Sequence, residues 1–279
     1  MNRGNHTTQL AGEAVLYEDN HLLVINKPAG VATMGAETGE PTIHAMATAY
    51  LKHKYNKPGN VFVGIVSRLD AMTTGVLVLA RTSKAASRLS TQFAGGGHPS
   101  DASKNRKRKA SDAAQKLYLA IVQGDWSDSG LSDSGTLVDM VWKDDAAHRM
   151  RVARAKRTDT QRAEMKYAVL GRMADRTMLA IRLVTGRKHQ IRLQLADRGH
   201  PIIGDRKYGA DVAFKLGVAL HSWQLLITHP TRATPLRFVA PLPDFWGNLA
   251  GIAGEADAQQ TIAQALDWTT DTPVTQNST

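Results

Sequence analysis

The 279-residue chain contains no cysteine. Disulfides, thiol nucleophiles and every cysteine-containing zinc site are excluded, and a reducing cytoplasm is the expected compartment. Long apolar runs are missing too. The run Val76–Ala80 is five residues long, against the roughly 18 needed to cross a bilayer, so no membrane association is expected. The opening residues, MNRGNHTTQLAGEAVL, hold no apolar stretch of the about 7–15 residues found in a secretory signal. Also missing are G-x-x-x-x-G-K-[ST], G-x-G-x-x-G and H-E-x-x-H, which argues against an ATPase, a Rossmann dehydrogenase and a zincin, and against a nucleotide cofactor. His189, His200, His221 and His229 show no compact ligand spacing, so no metal site is expected.

Charge is what the chain has in excess. Lys and Arg number 35 against 25 Asp and Glu, a net charge of +10. No Lys or Arg follows Arg237, whereas Asp244, Glu255, Asp257, Asp267 and Asp271 do, which leaves residues 1–237 at +15. A basic body with an acidic tail points to a polyanionic partner, most often nucleic acid. A merely solvated basic surface is the plainer reading of the same charge.

Apolar patterning predicts strands over Ala14–Tyr17, Leu22–Asn26, Val61–Val66, Val76–Ala80, Leu117–Gln123, Glu164–Leu170, Thr177–Val184, Ala219–Leu226 and Leu236–Ala240. A helix is predicted from Pro41 and Thr42 to Tyr55, with Ile43, Met46, Tyr50 and Leu51 at helical spacing. A second, capped by Ser83, runs to Phe93. A third spans Lys188–Arg198 and ends at Gly199. Strands and helices do not alternate as βαβ units, so the expected fold class is α+β with a mixed, largely antiparallel sheet flanked by helices. Residues 95–115 are rich in Gly, Ser, Lys and Arg without periodicity and read as a mobile basic insertion. Five of its six residues from Lys104 to Lys109 are basic. Residues 271–279 have Val274 as their one apolar anchor and are expected to fray.

The sharpest feature is the loop Ser67-Arg68-Leu69-Asp70-Ala71-Met72-Thr73-Thr74-Gly75, held between two apolar strands. An ionised Asp70 among arginines suits a nucleophile, a general base or a structural ion pair, and residue types alone leave the three open.

The string Arg68-Leu69-Asp70-Ala71-Met72-Thr73-Thr74-Gly75 resembles the RLD-x-x-T-S-G signature of the RluA-type RNA pseudouridine synthases. Further segments match in the same order: Tyr17-Glu18-Asp19 with Val24-Ile25-Asn26-Lys27-Pro28-Ala29-Gly30-Val31, then Lys116-Leu117-Tyr118-Leu119-Ala120, then Thr185-Gly186-Arg187-Lys188-His189-Gln190-Ile191-Arg192. After these come His200-Pro201-Ile202-Ile203-Gly204-Asp205, Leu220-His221-Ser222 and Ala240-Pro241-Leu242-Pro243-Asp244. The resemblance covers about 14–247. It implies a pseudouridine synthase fold with a central RNA-binding cleft, and isomerisation of uridine in structured tRNA or rRNA by a cytoplasmic monomer that uses no cofactor.

By that resemblance Asp70 is the catalytic carboxylate, Tyr118 lies against the uracil, and Arg192 pairs with Asp70. Arg68 fills the space of the flipped base, and Thr73, Thr74, Arg187, His189 and Gln190 complete the substrate-binding set. Three positions depart from the family pattern: Ser67 stands for a His, Thr74 for a Ser, and Gln194 for a His, where altered packing or an altered RNA contact is expected. The expected organisation is an extension over 1–13, a catalytic domain over 14–250 without a preceding S4-like domain, and an acidic extension over 251–279. RNA backbone contacts are expected from Lys104, Arg106, Lys107, Arg108 and Lys109, and from the run Arg149, Arg151, Arg154, Lys156, Arg157 and Arg162. Two other readings carry over: a catalytically silent RNA-binding or RNA-chaperone protein on the same fold, and a hydrolase using Ser67, His189 and Asp70. The last lacks a G-x-S-x-G context for its serine.

Overall fold

The computed structural model describes residue 10 and residues 12–35, 39–94, 113–173, 175–247, 255–268 and 271–276. The described residues form eleven strands and four α-helices. In chain order these are β1 (Val15–Glu18), β2 (Leu22–Lys27), α1 (Ile43–Lys54), β3 (Gly64–Ile65), β4 (Thr74–Ala80), α2 (Ser83–Ala94) and β5 (Gln115–Gln123). There follow β6 (Ser134–Asp144), β7 (Arg149–Val152), β8 (Gln161–Met173), β9 (Arg176–Leu183), α3 (Gln190–Ala196), β10 (Leu220–Thr228), β11 (Pro235–Val239) and α4 (Ala256–Leu266).

All strands join one sheet, ordered β1-β2-β4-β10-β5-β9-β8-β6-β7, with β3 beside β4 and β11 beside β10. Every pairing is antiparallel except β4 with β10, which run parallel over Thr74↔His221 and Gly75↔Ser222. That short parallel seam joins two halves of the sheet. It needs a glycine: Gly75 has φ +109°, and a Cβ there would lie 2.2 Å from the Ser222 carbonyl oxygen.

β4 is buried along its whole length, which explains its unbroken apolar run. Its side chains alternate between faces: Leu77 and Leu79 pack with Ile43, Met46 and Leu51 of α1, while Val76 and Val78 pack with Leu89 of α2 and Phe238 of β11. On the other half, Leu117, Leu119 and Ile121 of β5 join Leu179 and Ile181 of β9 in a core closed by Trp126, Trp246 and Trp268.

Several expectations shift in detail. The helix expected from Pro41 and Thr42 begins at Ile43, with Thr42 as its cap, accepting from the Ala45 N–H at 3.2 Å. For α2 the cap is Thr82, not Ser83: its hydroxyl accepts from the Ala85 N–H. The strand expected over Val61–Val66 is reduced to Gly64–Ile65, the only part that pairs. The helix expected from Lys188 begins at Gln190, because His189 sits at φ +53° and breaks the turn before it. The pattern of the sequence does not announce β6 and β7. They form a hairpin at the sheet edge, where β6 buries Leu137 and Val141 but exposes Val138 and Met140, so clean alternation is lost.

The acidic C-terminal stretch is folded onto the body. Ala258, Ile262 and Leu266 bury one face of α4 against β8 and β9, and the Trp268 indole donates to Gln224 Oε1 at 3.1 Å. The fraying expected over 271–279 does not apply to Val274, which bridges to Arg237, nor to Thr275, whose N–H donates to the Arg237 carbonyl at 2.7 Å. Residues 95–112, with Lys104, Arg106, Lys107, Arg108 and Lys109, lie outside the described residues. No helix among the described residues is long and apolar enough to cross a membrane.

Candidate active site

The loop before β4 is pinned at nearly every residue around Asp70. Thr33 Oγ1 accepts from the Leu69 N–H at 3.2 Å and donates to the Leu69 carbonyl at 2.8 Å. The Ala71 carbonyl accepts from the Gly30 N–H and from Lys27 Nζ, both at 2.9 Å. The Asp70 carbonyl itself accepts from the Thr73 N–H at 3.0 Å. The carboxylate is therefore carried on a fixed frame rather than on a free loop.

Lys27 is the unexpected part of that frame. It is fully buried and donates to the carbonyls of Pro28, Val31 and Ala71 at 2.7–2.9 Å. An ammonium has three N–H bonds, one for each of these carbonyls. Burial pushes the amine down to about 7, against the upward pull of Asp70.

α3 supplies the opposite wall. Arg192 donates from Nη1 to Asp70 Oδ2 at 2.8 Å, and from Nε and Nη2 to the two oxygens of Asp205 at 2.7 Å each. Burial works against the Arg192 cation, but Asp205 and then Asp70 more than offset it and hold its pKa above the usual guanidinium value. His189 places Nε2 3.6 Å from Asp70 Oδ1 and Nδ1 2.9 Å from the Tyr208 hydroxyl. That hydroxyl also accepts from the Met150 N–H, so Tyr208 ties the His189 ring to the β7 backbone. Burial keeps His189 neutral at physiological pH, with its pKa pushed down to about 4 despite Asp70.

Asp70, His189 and Arg192 line a pocket of about 80 Å³ with Arg68, Leu69, Thr73, Tyr118, Leu183, Arg187, Gln190, Ile191 and Leu220. Asp70 is the one carboxylate among its lining residues. Tyr118 comes from β5, and burial, with Asp70 nearby, pushes its phenol up to about 12, although a hydrogen bond with Ser222 pulls the other way. It is therefore a protonated ring at neutral pH. Arg68 is exposed at the rim.

The geometry alters two of the expected binding roles. Thr74 is buried, and its hydroxyl meets His221 Nδ1 at 2.7 Å. His221 Nε2 faces the Ala240 carbonyl at 3.3 Å, which only accepts, so the Thr74 hydroxyl is the donor in the Nδ1 bond. Thr74 thus stitches β4 to β10 and is not among the residues lining the pocket. Gln190 touches the pocket, but its amide is fully engaged: Oε1 accepts from Thr185 Oγ1 and the Arg187 N–H, and Nε2 donates to the Glu164 carbonyl and Gln194 Oε1. It shapes the start of α3. Gln194, the third departure from the family pattern, is fully buried and donates to Asp139 Oδ2 at 2.7 Å.

The sequence alone assigns no role to Asp205, Lys27 or Tyr208. Asp205 and Lys27 lie inside matching strings, the only signal that pointed at them; for Tyr208 there was none. Ser67 makes no hydrogen bond to His189, so the Ser67–His189–Asp70 hydrolase arrangement is not assembled. The four histidines considered for metal have separate partners, with His200 on the Gln123 carbonyl and His229 on Asp19. The basic run 149–162 is more neutralised than its sequence suggests, because Arg151 pairs with Asp144, Arg154 with Asp197, Arg157 with Asp159 and Arg162 with Glu164.

The sheet and its flanking helices match the fold of human RNA Pseudouridylate Synthase Domain Containing 4, with a TM-score of 0.64 over 84% of this chain and 90% of that one at 23% identity. Residues 21–197 match the RNA pseudouridylate synthase family model, and the chain belongs to that family. Among curated relatives, the ribosomal large subunit pseudouridine synthase D of Nitrosomonas europaea is 33% identical over 253 residues, 87% of this chain and 66% of that protein. The dual-specificity RNA pseudouridine synthase RluA of Haemophilus influenzae is 31% identical over 81% of this chain and 91% of its own length. The chain thus spans just under two thirds of the length of the synthase D relative.

Proposed function

We propose that this protein converts uridine to pseudouridine in a structured RNA, tRNA or rRNA, in the cytoplasm, with Asp70 as the essential group. The observation that carries the reading is the Asp70–Arg192 ion pair at 2.8 Å, set in a pocket that holds no other carboxylate among its lining residues. A silent RNA-binding protein has no use for a buried arginine that holds an acid in a pocket.

The reaction is an isomerisation. The N1–C1′ bond breaks, a C5–C1′ bond forms, C5 loses a proton and N1 gains one, so no oxidant or reductant is consumed. Asp70 starts as the anion, aimed by Arg192, and attacks either the sugar or the base ring. A stacked base cannot reach it, so the target nucleotide is extruded from its helix, at a cost of a few kcal/mol. Arg68, exposed at the rim, is placed to occupy the vacated space with its planar cation. Tyr118, protonated at neutral pH, offers a flat wall to the ring and an O–H to its edge.

Relatives named for the large ribosomal subunit support an rRNA target. The test is to incubate the protein with tRNA and large-subunit rRNA transcripts and map carbodiimide-dependent stops of reverse transcriptase. One or a few new stops in one pool are expected. No stop in either pool, with RNA still bound, would leave the silent RNA-binding reading.

A further inference from the structure

A second cleft, of about 510 Å³, opens beside the Asp70 pocket, between the β6–β7 hairpin, the segment after it and α3. Its walls include Trp142, Arg149, Arg151, Arg154, Arg157 and Leu193. Leu193 is the neighbour in sequence of Arg192, so α3 contributes to both cavities.

The cleft has an ordered aromatic platform. The Arg157 guanidinium carbon lies 3.7 Å from the centre of the Trp142 ring. Two hydrogen bonds of 2.8 Å to Asp159 fix the plane of that guanidinium. Arg149 adds cationic charge, and its buried Nε–H finds no acceptor among the described residues. Arg149 and Arg192 both approach the Tyr208 ring, at 5.4 and 5.2 Å. The Tyr208 hydroxyl in turn joins Met150 N–H to His189 Nδ1. Tyr208 and α3 therefore link the residues of the two cavities.

We propose that this cleft is a second nucleotide subsite. It takes an unpaired base of the RNA strand that flanks the target, stacked on the Trp142–Arg157 platform, with the adjoining phosphates on Arg149 and Arg154. Phosphate recognition alone needs only cations. A tryptophan already carrying a stacked guanidinium supplies the π face that a base requires. In their ion pairs the Arg151 and Arg154 side chains are 45% and 74% accessible, against 16% and 15% for Asp144 and Asp197, so the solvent side of each guanidinium is open to a phosphate. The proposal rests on RNA being the substrate, and it gives this basic run a base to hold as well as a backbone.

The test uses the full chain and a fluorescein-labelled 12-residue oligouridylate, beside the same oligonucleotide built from abasic riboses. Trp142→Ala is expected to weaken oligouridylate binding about tenfold and to leave binding of the abasic strand unchanged. Trp142→Phe keeps a ring; it is expected to restore most of the affinity and to lack the tryptophan quenching by oligouridylate that is expected of the wild type. That variant also guards against misfolding of the alanine form. Equal affinities of wild type and Trp142→Ala would overturn the subsite. So would a loss shared by the abasic strand, which would reduce the cleft to a phosphate site. Failure of the catalytic reading looks different: the wild type would bind oligouridylate through Trp142 yet isomerise no RNA.

Discussion

Arg192 commits two of its guanidinium donors to Asp205, at 2.7 Å each, and leaves Nη1 to Asp70. The Asp70 carboxylate is thus oriented by an arginine that is itself clamped by a buried acid. Removing one partner of a buried ion pair costs about 3–5 kcal/mol, because the other charge is stranded. Asp205→Ala is expected to lower unfolding stability by that order and to depress kcat sharply, with Asp205→Asn milder in both. Urea unfolding and turnover on the same preparations check this, and an unchanged unfolding midpoint would contradict it.

Tyr118 gives a prediction in pH. Its pKa is raised to about 12 in the native state, mainly by burial, whereas an unfolded tyrosine ionises near 10. Between those values the unfolded chain binds fewer protons than the native one, so stability falls as pH rises. The wild type is expected to lose stability between pH about 10 and 12 more steeply than Tyr118→Phe. Denaturant melts across that range supply the comparison, and parallel curves would show that the phenol is not buried as described.

The seam between β4 and β10 tolerates no side chain at Gly75. With φ +109° and the Ser222 carbonyl oxygen 2.2 Å from where a Cβ would stand, Gly75→Ala is expected to separate the strands and yield insoluble or protease-sensitive protein. A soluble Gly75→Ala protein with wild-type thermal stability would refute this account of the seam.

Lys27 holds the backbone next to Asp70. Lys27→Met leaves the Pro28, Val31 and Ala71 carbonyls without that donor, at an expected cost of about 1–3 kcal/mol. Faster hydrogen exchange at the Thr73 amide, which donates to the Asp70 carbonyl, would report the loosened loop. Unchanged exchange would assign the lysine to some other task.

Much of the site was legible because its chemistry lies in short strings. The Asp70 loop, Tyr118 and Arg192 were named from sequence, and the structure places all three at one pocket. The periodicity of Ile43, Met46 and Leu51 likewise gave α1 and its buried face. Other features depend on distance or direction, which a string does not carry. Asp205 meets Arg192 only after the chain turns back from α3. Thr74 and Gln190 sit in matching strings, yet their side chains serve the seam and the helix start. At the sheet edge, β6 alternates in burial, but apolar Val138 and Met140 on its exposed face and Asp139 on the inner one erase the apolar–polar alternation that marks a strand. Arg151, Arg154 and Arg162 looked unopposed along the chain because their partners Asp144, Asp197 and Glu164 lie outside the basic run.

The most direct measurement of the central claim is tritium release from RNA labelled at uridine C5, comparing wild type with Asp70→Asn on tRNA and rRNA. Isomerisation frees the C5 hydrogen, so release by the wild type alone, with RNA binding close to equal in both proteins, is the predicted result. Comparable release by Asp70→Asn would contradict the assignment of Asp70 as the essential group.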